Sequence, residues 1–140
     1  MTEPTAPPLI LREVHNHNAF HPEYRLRVYA VGERGPNGDN HLYLINGQKF
    51  SMPVQDENGV IRARLSSLPI KFQEGDPSQG YNGVTIESLL AVAYDRLNGC
   101  QTGPFASEHN AQAMIAISKA LEHLHDRSRE RLAAQENASE

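Results

Sequence analysis

The sequence predicts an α+β protein in which a small N-terminal antiparallel sheet precedes a C-terminal antiparallel two-helix hairpin. Two observations indicate this order. Over residues 24–72 apolar side chains recur with a period of two between Asn-Gly turns, which is typical of half-buried strands. Over residues 85–131 they recur at spacings of three and four on both sides of a Gly-Pro turn, which is typical of packed helices.

The chain is predicted to form one domain with four segments. Residues 1–23 are a flexible N-terminal arm, because prolines open it and a polar stretch of histidines and asparagines follows. Residues 24–72 are the antiparallel β region, residues 73–134 are the connector and helical hairpin, and residues 135–140 are a polar tail that frays. A chain of 140 residues builds a thin core, so self-association is expected to bury further surface.

The β region is predicted to be a meander of short strands separated by tight turns. Asn-Gly pairs tolerate the positive φ angles of such turns, which places them at residues 35–39, 46–47 and 58–59. The strands that they separate are expected over 24–30, 41–45, 48–52 and 60–65, with a further short strand over 68–72.

Both helices have identifiable start signals. Thr85 is expected to cap the first helix, with Glu87 favourable in its first turn and Asn98-Gly99 near its end. Ser107 is expected to cap the second helix after the Gly103-Pro104 loop. The second helix has the apolar seam of packed helices at Met114, Ile117, Leu121 and Leu124. Apolar residues beyond one stripe indicate a further partner, either the sheet or other subunits.

Composition narrows the classes of function. The formal net charge is -4, whereas proteins that bind duplex nucleic acid usually carry a basic excess, so no such partner is expected. No apolar run approaches the roughly 18 residues of a membrane span, and the N-terminus lacks a secretory signal pattern. Cys100 is the only cysteine, which excludes an intrachain disulfide. We therefore expect a cytoplasmic protein with no membrane partner.

The sequence contains none of the common catalytic motifs, so the chain is predicted not to be an enzyme and to need no cofactor. Cys100 lies beside the end of a helix, where the helix dipole does not activate a thiol. His15, His17 and His21 resemble a metal cluster, and His-Asn-His invites comparison with a family of metal nucleases. Residues 15–60 offer no helix to complete that nuclease scaffold, so histidines that are solvated or packed on a neighbour are the favoured interpretation, and no metal site is predicted.

Polar residues of the second helix admit two interpretations. Arg127 and Arg131 are four residues apart and share one side of the helix, whereas Arg129 points elsewhere. They form either a solvated helix end paired with neighbouring acids or a bidentate phosphate clamp. Asn110 either supports the helix cap or recognises a base or ribose edge. An amide near one end and arginines near the other favour a small anionic ligand over core packing.

Five short motifs follow one another in a specific order within residues 71–131. They are Asn82-Gly83-Val84-Thr85, Asp95-Arg96-Leu97, Gln101-x-Gly103-Pro104-Phe105, Glu108-x-Asn110-Ala111 and Arg127-x-x-x-Arg131. This series resembles the Thoeris anti-defence protein one family of phages, whose helical hairpin also occurs in anti-CBASS protein two. The residues 71–75 before the first motif are similar to the family's lead-in to the hairpin.

The resemblance implies a sponge, which binds a bacterial immune messenger tightly and keeps it from its effector without cleaving it. The implied ligands are cyclic ADP-ribose isomers of Thoeris, with cyclic di- or trinucleotides of CBASS as further candidates. The implied assembly is a homo-oligomer, typically a hexamer, with ligand pockets between subunits. The implied place of action is the cytoplasm of the infected bacterial host. A structural or assembly protein and a His-dependent metal nuclease remain the alternatives.

The resemblance also implies ligand-binding positions, which are Cys100, Gln101, Phe105, Asn110, Arg127 and Arg131. Asn110 corresponds to the family's asparagine after the hairpin loop, and the two arginines to those of its second helix. Cys100 departs from the family, which has there an aromatic residue expected to stack on adenine. Phe105 or Tyr81 is the candidate substitute for that aromatic surface.

Overall fold

A computed structural model describes residues 10–15, 26–51, 57–59 and 64–138 of the chain. The chain forms two compact units, Met1–Val84 and Thr85–Glu140. The first unit contains a four-stranded antiparallel sheet and the second contains two helices. The predicted α+β class, with the sheet before the helical hairpin, is therefore confirmed.

The sheet is a meander in which each strand pairs with the next along the chain, in the order β1-β2-β3-β4. The strands are β1 (Leu11–Val14), β2 (Arg27–Val31), β3 (Leu42–Ser51) and β4 (Arg64–Lys71). Every pairing is antiparallel, as the short connections allow. One cross-strand row contains Arg12, Ala30, Tyr43 and Ile70.

The first strand lies where the sequence predicts an irregular arm, and that prediction is wrong for residues 11–14. Leu11 pairs with Val31 and Val14 pairs with Val28, so this segment forms an edge of the sheet. A segment of four residues, with two polar side chains between the apolar ones, is too short to display a period of two. Pairing with β2, which the local sequence does not reveal, makes it a strand. Residues 16–25 of the predicted arm and first strand lie outside the described residues.

The predicted turn at Asn46-Gly47 is also wrong, because β3 continues through it. The pairing of β3 with β4 shifts register between Asn46 and Phe50, so the Asn-Gly pair marks an irregularity within a strand. Strand irregularities and tight turns both use glycine's conformational freedom, which is why the dipeptide alone does not separate them. Similarly, β4 joins parts of the two strands predicted over 60–65 and 68–72; residues 60–63 lie outside the described residues.

The other two predicted turns are confirmed. In the first, the Gly38 N–H donates to the Gly35 carbonyl at 2.9 Å, which reverses the chain between β2 and β3. In the second, Gly59 adopts a φ of 79°, in the left-handed region that favours glycine. Both turns therefore follow from local residue chemistry.

Burial in the sheet unit concentrates at Ala30, which is 1% exposed, and at Asn40, which is 5% exposed. The Asn40 side chain accepts a hydrogen bond from Arg12 at 3.1 Å. It donates to the carbonyls of Gly32 at 3.1 Å and Val31 at 3.4 Å. A buried amide without partners costs about 1–3 kcal/mol. These contacts satisfy Asn40 and tie β1 to the connection between β2 and β3.

The connector between sheet and helices is a loop closed by its own hydrogen bonds. Phe72 and Val84 form a parallel bridge across its base. The Asn82 side chain pairs with the Glu74 backbone in both directions, accepting from its N–H at 2.8 Å and donating to its carbonyl at 2.6 Å. A Cβ on Gly83 would lie 2.5 Å from the carbonyl carbon of Phe72, so only glycine fits there. The Asn-Gly pair thus has a structural role at this position.

The hairpin consists of α1 (Ile86–Cys100) and α2 (Glu108–Ala138). Thr85 and Ser88 form a reciprocal capping box, with side-chain to backbone distances of 3.1 and 3.0 Å. The Ser107 hydroxyl accepts from the Asn110 N–H at 3.0 Å and caps α2. Both predicted caps are confirmed because each depends on residues only three positions apart.

The second helix is longer than predicted. It continues to Ala138, so residues 135–138 of the predicted polar tail are helical. Alanine, glutamine and glutamate are good helix formers, which accounts for the extension without buried contacts. Over their described lengths neither helix contains a buried residue. Within the described part of the chain, no helix combines the length and apolarity needed to cross a membrane.

Candidate functional site

The six predicted ligand-binding positions lie at opposite ends of the hairpin. The interhelical loop, residues 101–107, and its flanks contain Cys100, Gln101, Phe105 and Asn110. Arg127 and Arg131 lie toward the other end, because Asn110 and Arg127 are separated by about 25 Å of continuous helix at about 1.5 Å per residue. A single chain therefore does not bring the two groups together.

Two side-chain amides brace the interhelical loop. The Gln101 amide pairs with the Ser107 backbone in both directions, donating to its carbonyl at 3.0 Å and accepting from its N–H at 2.9 Å. The Asn110 Nδ2 group donates to Gln101 Oε1 at 3.1 Å and to the Phe105 carbonyl at 2.9 Å. This network joins the end of α1, the middle of the loop and the first turn of α2.

The network uses most of the hydrogen-bonding capacity of these two amides. Gln101 Oε1 accepts two hydrogen bonds, and both N–H groups of Asn110 Nδ2 are engaged. Asn110 also contributes its backbone N–H to the cap from Ser107. The backbone of Asn110 thus completes the helix cap, as its position three residues after Ser107 predicts, whereas its side chain holds the loop.

A shallow groove of about 370 Å³ lies beside this network, at the end of α1 and along the loop. The last turns of α1 contribute Asp95, Arg96, Gly99 and Cys100 to its lining. The loop contributes Gly103, Pro104 and Phe105. Phe105 is 79% exposed, and Cys100 is a partly buried free thiol. Tyr81, the other candidate aromatic surface, is 76% exposed and belongs to the connector of the first unit.

At the other end of the hairpin Arg127 packs against the first turn of α1. Its guanidinium lies 3.6 Å from the Glu87 carboxylate, and the two side chains are 41% and 28% exposed. The Arg127 Nε is buried and has no hydrogen-bond partner among the described residues. Arg127 is therefore neither fully solvated nor fully satisfied, and it is the exposed part of the side chain, 41% of it, that remains open to another acceptor.

The neighbouring arginines differ from Arg127. Arg129 pairs with Asp126 at 2.7 Å, and both side chains are exposed, at 75% and 60%. This pair matches the solvated-face interpretation. Arg131 is exposed and makes no hydrogen bond or ion pair within the part of the chain that the structure describes. The three arginines thus occupy three different environments.

Sequence reasoning assigned no ligand role to Asp95 and Arg96, although both belong to a motif that it singled out. The sequence feature that could have identified them is the Asp95-Arg96-Leu97 motif, whose two charged residues line the groove. Sequence reasoning also did not foresee the contact between Glu87 and Arg127, because it joins residues on different helices. Among the described residues no group of three or more His, Cys, Asp or Glu could hold a metal ion. His17 and His21 lie outside that part of the chain.

Comparison of the chain with protein-family profiles and with curated proteins gave no match. The likeness to the Thoeris anti-defence family therefore depends on the motifs within residues 71–131. Several of those motifs have identifiable structural roles, as the Asn82-Gly83 loop closure and the Thr85 cap show. Residues whose identity folding alone does not explain are accordingly the ones that bear on function.

Proposed function

We propose that this protein is a non-enzymatic phage anti-defence sponge that sequesters cyclic nucleotide immune signals in the cytoplasm of an infected bacterium. The observation that carries the proposal is the partly buried Arg127, which keeps 41% of its side chain exposed and lies 3.6 Å from Glu87, too far for a hydrogen bond. A guanidinium presents a planar set of donors that matches phosphate, and charge-assisted hydrogen bonds are strong. Arg131, one turn further along the same side of α2, adds a second cation.

The proposed ligands are cyclic ADP-ribose isomers, with cyclic di- or trinucleotides as further candidates. These molecules carry phosphates for the arginines and a base and ribose for other polar groups. A guanidinium offers hydrogen-bond donors and no acceptor, so Arg127 and Arg131 serve binding of the phosphates. The proposal therefore requires slow release of an unchanged ligand and no duplex nucleic acid, membrane or metal partner.

A homo-oligomer completes the proposed site. The loop end and the arginine end of one hairpin are about 25 Å apart along α2, and a cyclic nucleotide that contacts both must lie between two copies of the chain. The hairpin also presents apolar side chains to solvent, including Val92 at 68% and Ile115 at 50% exposure. Covering such side chains favours association. The resemblance to the sponge family implies a hexamer.

The most direct general test is retention of ligand. The purified protein is incubated with a panel of cyclic nucleotides, separated from free ligand and denatured, and the released material is identified by mass spectrometry. We expect one class of cyclic nucleotide to be retained and released chemically intact. A product that accumulates with time would indicate an enzyme, and retention of nothing would favour the alternative of an assembly protein.

The assembly alternative has one specific observation in its favour, which is the exposed apolar surface on α1 and α2. Light scattering combined with ligand capture separates the two functions. The sponge requires both an assembly larger than a dimer and a bound nucleotide, whereas an assembly protein requires the first alone. A monomer at micromolar concentration would contradict both.

A further inference from the structure

Gln101 and Arg96 lie at the same end of the hairpin, but the side chain of Gln101 is hydrogen-bonded within the protein and that of Arg96 is not. The Gln101 side chain makes three hydrogen bonds within the protein, to Ser107 and Asn110. Arg96 lines the groove, is exposed and makes no hydrogen bond or ion pair among the described residues. Gln101 has one amide N–H left beyond the contacts that hold the loop, whereas Arg96 can offer its whole guanidinium to a ligand without breaking any contact among the described residues.

The pairing of Gln101 with Ser107 has the form of a backbone bridge, with one hydrogen bond in each direction. Asn110 adds a third point of attachment at the Phe105 carbonyl. Fixing the backbone of one residue costs about 1–2 kcal/mol of conformational entropy, and a loop ordered beforehand does not incur that cost when a ligand binds. The side-chain amides therefore preorganise the wall of the groove.

We propose that Gln101 and Asn110 are positioning residues that hold the interhelical loop in its ligand-binding conformation, and that Arg96 supplies the anion contact from the groove. This inference rests on the proposed function, because the ligand is the same cyclic nucleotide. It reassigns two of the residues expected to touch ligand and adds one that was not expected to. The exposed Phe105 is the part of the loop that the network presents to the groove.

Replacing Gln101 by glutamate separates positioning from direct contact. The carboxylate keeps the acceptor for the Ser107 N–H and for Asn110 but loses the donor to the Ser107 carbonyl. Gln101→Glu keeps two of the three bonds but sets a carboxylate oxygen against the Ser107 carbonyl, so it should weaken affinity less than Gln101→Ala, which loses all three bonds and should weaken it at least tenfold. If Gln101 contacted an anionic ligand, the glutamate would repel it and Gln101→Glu would bind worse than Gln101→Ala.

Arg96→Gln tests the proposed contact between Arg96 and an anionic ligand in the groove. Cyclic ADP-ribose and cyclic di-AMP serve as probes, and calorimetry at several salt concentrations gives affinity and its salt dependence. We expect a loss of at least tenfold at low salt and a weaker salt dependence for Arg96→Gln. Gln79→Glu, in the exposed connector of the first unit, is the charge-matched control for Gln101→Glu and should leave binding unchanged. Unchanged binding for Arg96→Gln would overturn this part of the inference.

Gly99→Leu tests whether the groove itself holds ligand. A Cβ at Gly99 would meet nothing within 4 Å, and Gly99 both lines the groove and lies inside α1. Glycine is a poor helix former, so leucine should raise the thermal midpoint while its side chain obstructs the groove. We expect the Gly99→Leu variant to have a higher thermal midpoint and a weaker affinity for the probes. Probe binding equal to that of the unsubstituted protein would place the ligand elsewhere.

Hydrogen exchange on the ligand-free protein distinguishes failure of this inference from failure of the proposed function. The Ser107 amide donates to Gln101, so Gln101→Ala should accelerate its exchange at least tenfold with no ligand present. Unchanged exchange would overturn the positioning role even if both probes bound tightly. Absence of binding by every cyclic nucleotide of the panel would reject the proposed function and the Arg96 contact, while exchange would still decide the role of Gln101.

Discussion

The guanidinium of Arg127 lies 3.6 Å from the carboxylate of Glu87, which joins the second helix to the first turn of the first helix. The contact explains why Arg127 is less exposed than Arg129, only two residues away. It also places a negative charge beside the cation that we propose for phosphate binding. Glu87 therefore both holds Arg127 in place and competes with a ligand phosphate for it.

Glu87→Gln should consequently strengthen binding of an anionic ligand. Glutamine keeps the size of the side chain and an oxygen acceptor but removes the competing charge. Because both side chains are partly exposed, the gain is expected to be on the order of 0.5–1 kcal/mol, or about two- to fivefold in Kd. The thermal midpoint should fall slightly, since an acid is favourable in the first turn of a helix. Calorimetry that shows weaker binding would mean that Glu87 mainly orients Arg127.

The stability of the sheet unit should depend on Asn40. Asn40→Ala removes the buried amide that joins Arg12 to the carbonyl groups of Val31 and Gly32. We expect a loss of about 1–3 kcal/mol in the free energy of unfolding, measured by chemical denaturation. Asn98→Ala, on the exposed surface of α1, is the comparison variant and should not lower stability, because alanine is a better helix former than asparagine. Equal changes in stability at both positions would contradict the claim that the hydrogen bonds of Asn40 stabilise the sheet unit.

The start of α1 should depend on the hydroxyl of Thr85. Thr85→Ala removes the acceptor for the Ser88 N–H and should cost about 1 kcal/mol in the free energy of unfolding. Thr85→Ser keeps a hydroxyl at the same place and should restore most of that loss. Both variants are compared by thermal unfolding monitored at the helical signal. A serine variant as unstable as the alanine variant would mean that the threonine methyl group, rather than the cap, is what matters.

Local features of the fold could be predicted from the sequence. The caps at Thr85 and Ser107 depend on side chains and amides three residues apart, so the pattern contains the information. The turn at residues 46–47 could not be distinguished from a strand irregularity, because the deciding factor is the pairing of β3 with β4. Strand β1 was missed for the same reason, since β2 stabilises it and its own four residues show no period.

The candidate site was predictable only in part. The separation of Arg127 from Arg129 follows from helical spacing, and the structure places them in different environments. The partner of Arg127 could not be foreseen, because Glu87 is distant in sequence. The hydrogen bonds that the Gln101 and Asn110 side chains make within the loop could not be predicted either. Which partner a side-chain amide finds depends on the conformation of the loop, which the residue type does not specify.

The phosphate clamp is best tested by comparing Arg127→Ala with Arg129→Ala in calorimetry of the retained cyclic nucleotide. Light scattering first confirms that both variants keep the assembly of the unsubstituted protein. Because the proposed clamp buries Arg127 with a phosphate between subunits, Arg127→Ala should weaken binding by on the order of 2–5 kcal/mol, the range for truncating one partner of a buried charge pair. Arg129→Ala should weaken it by about 0–1 kcal/mol, as for an exposed ion pair, and Arg127→Lys should recover little. Equal and small losses at the two positions would contradict the phosphate clamp.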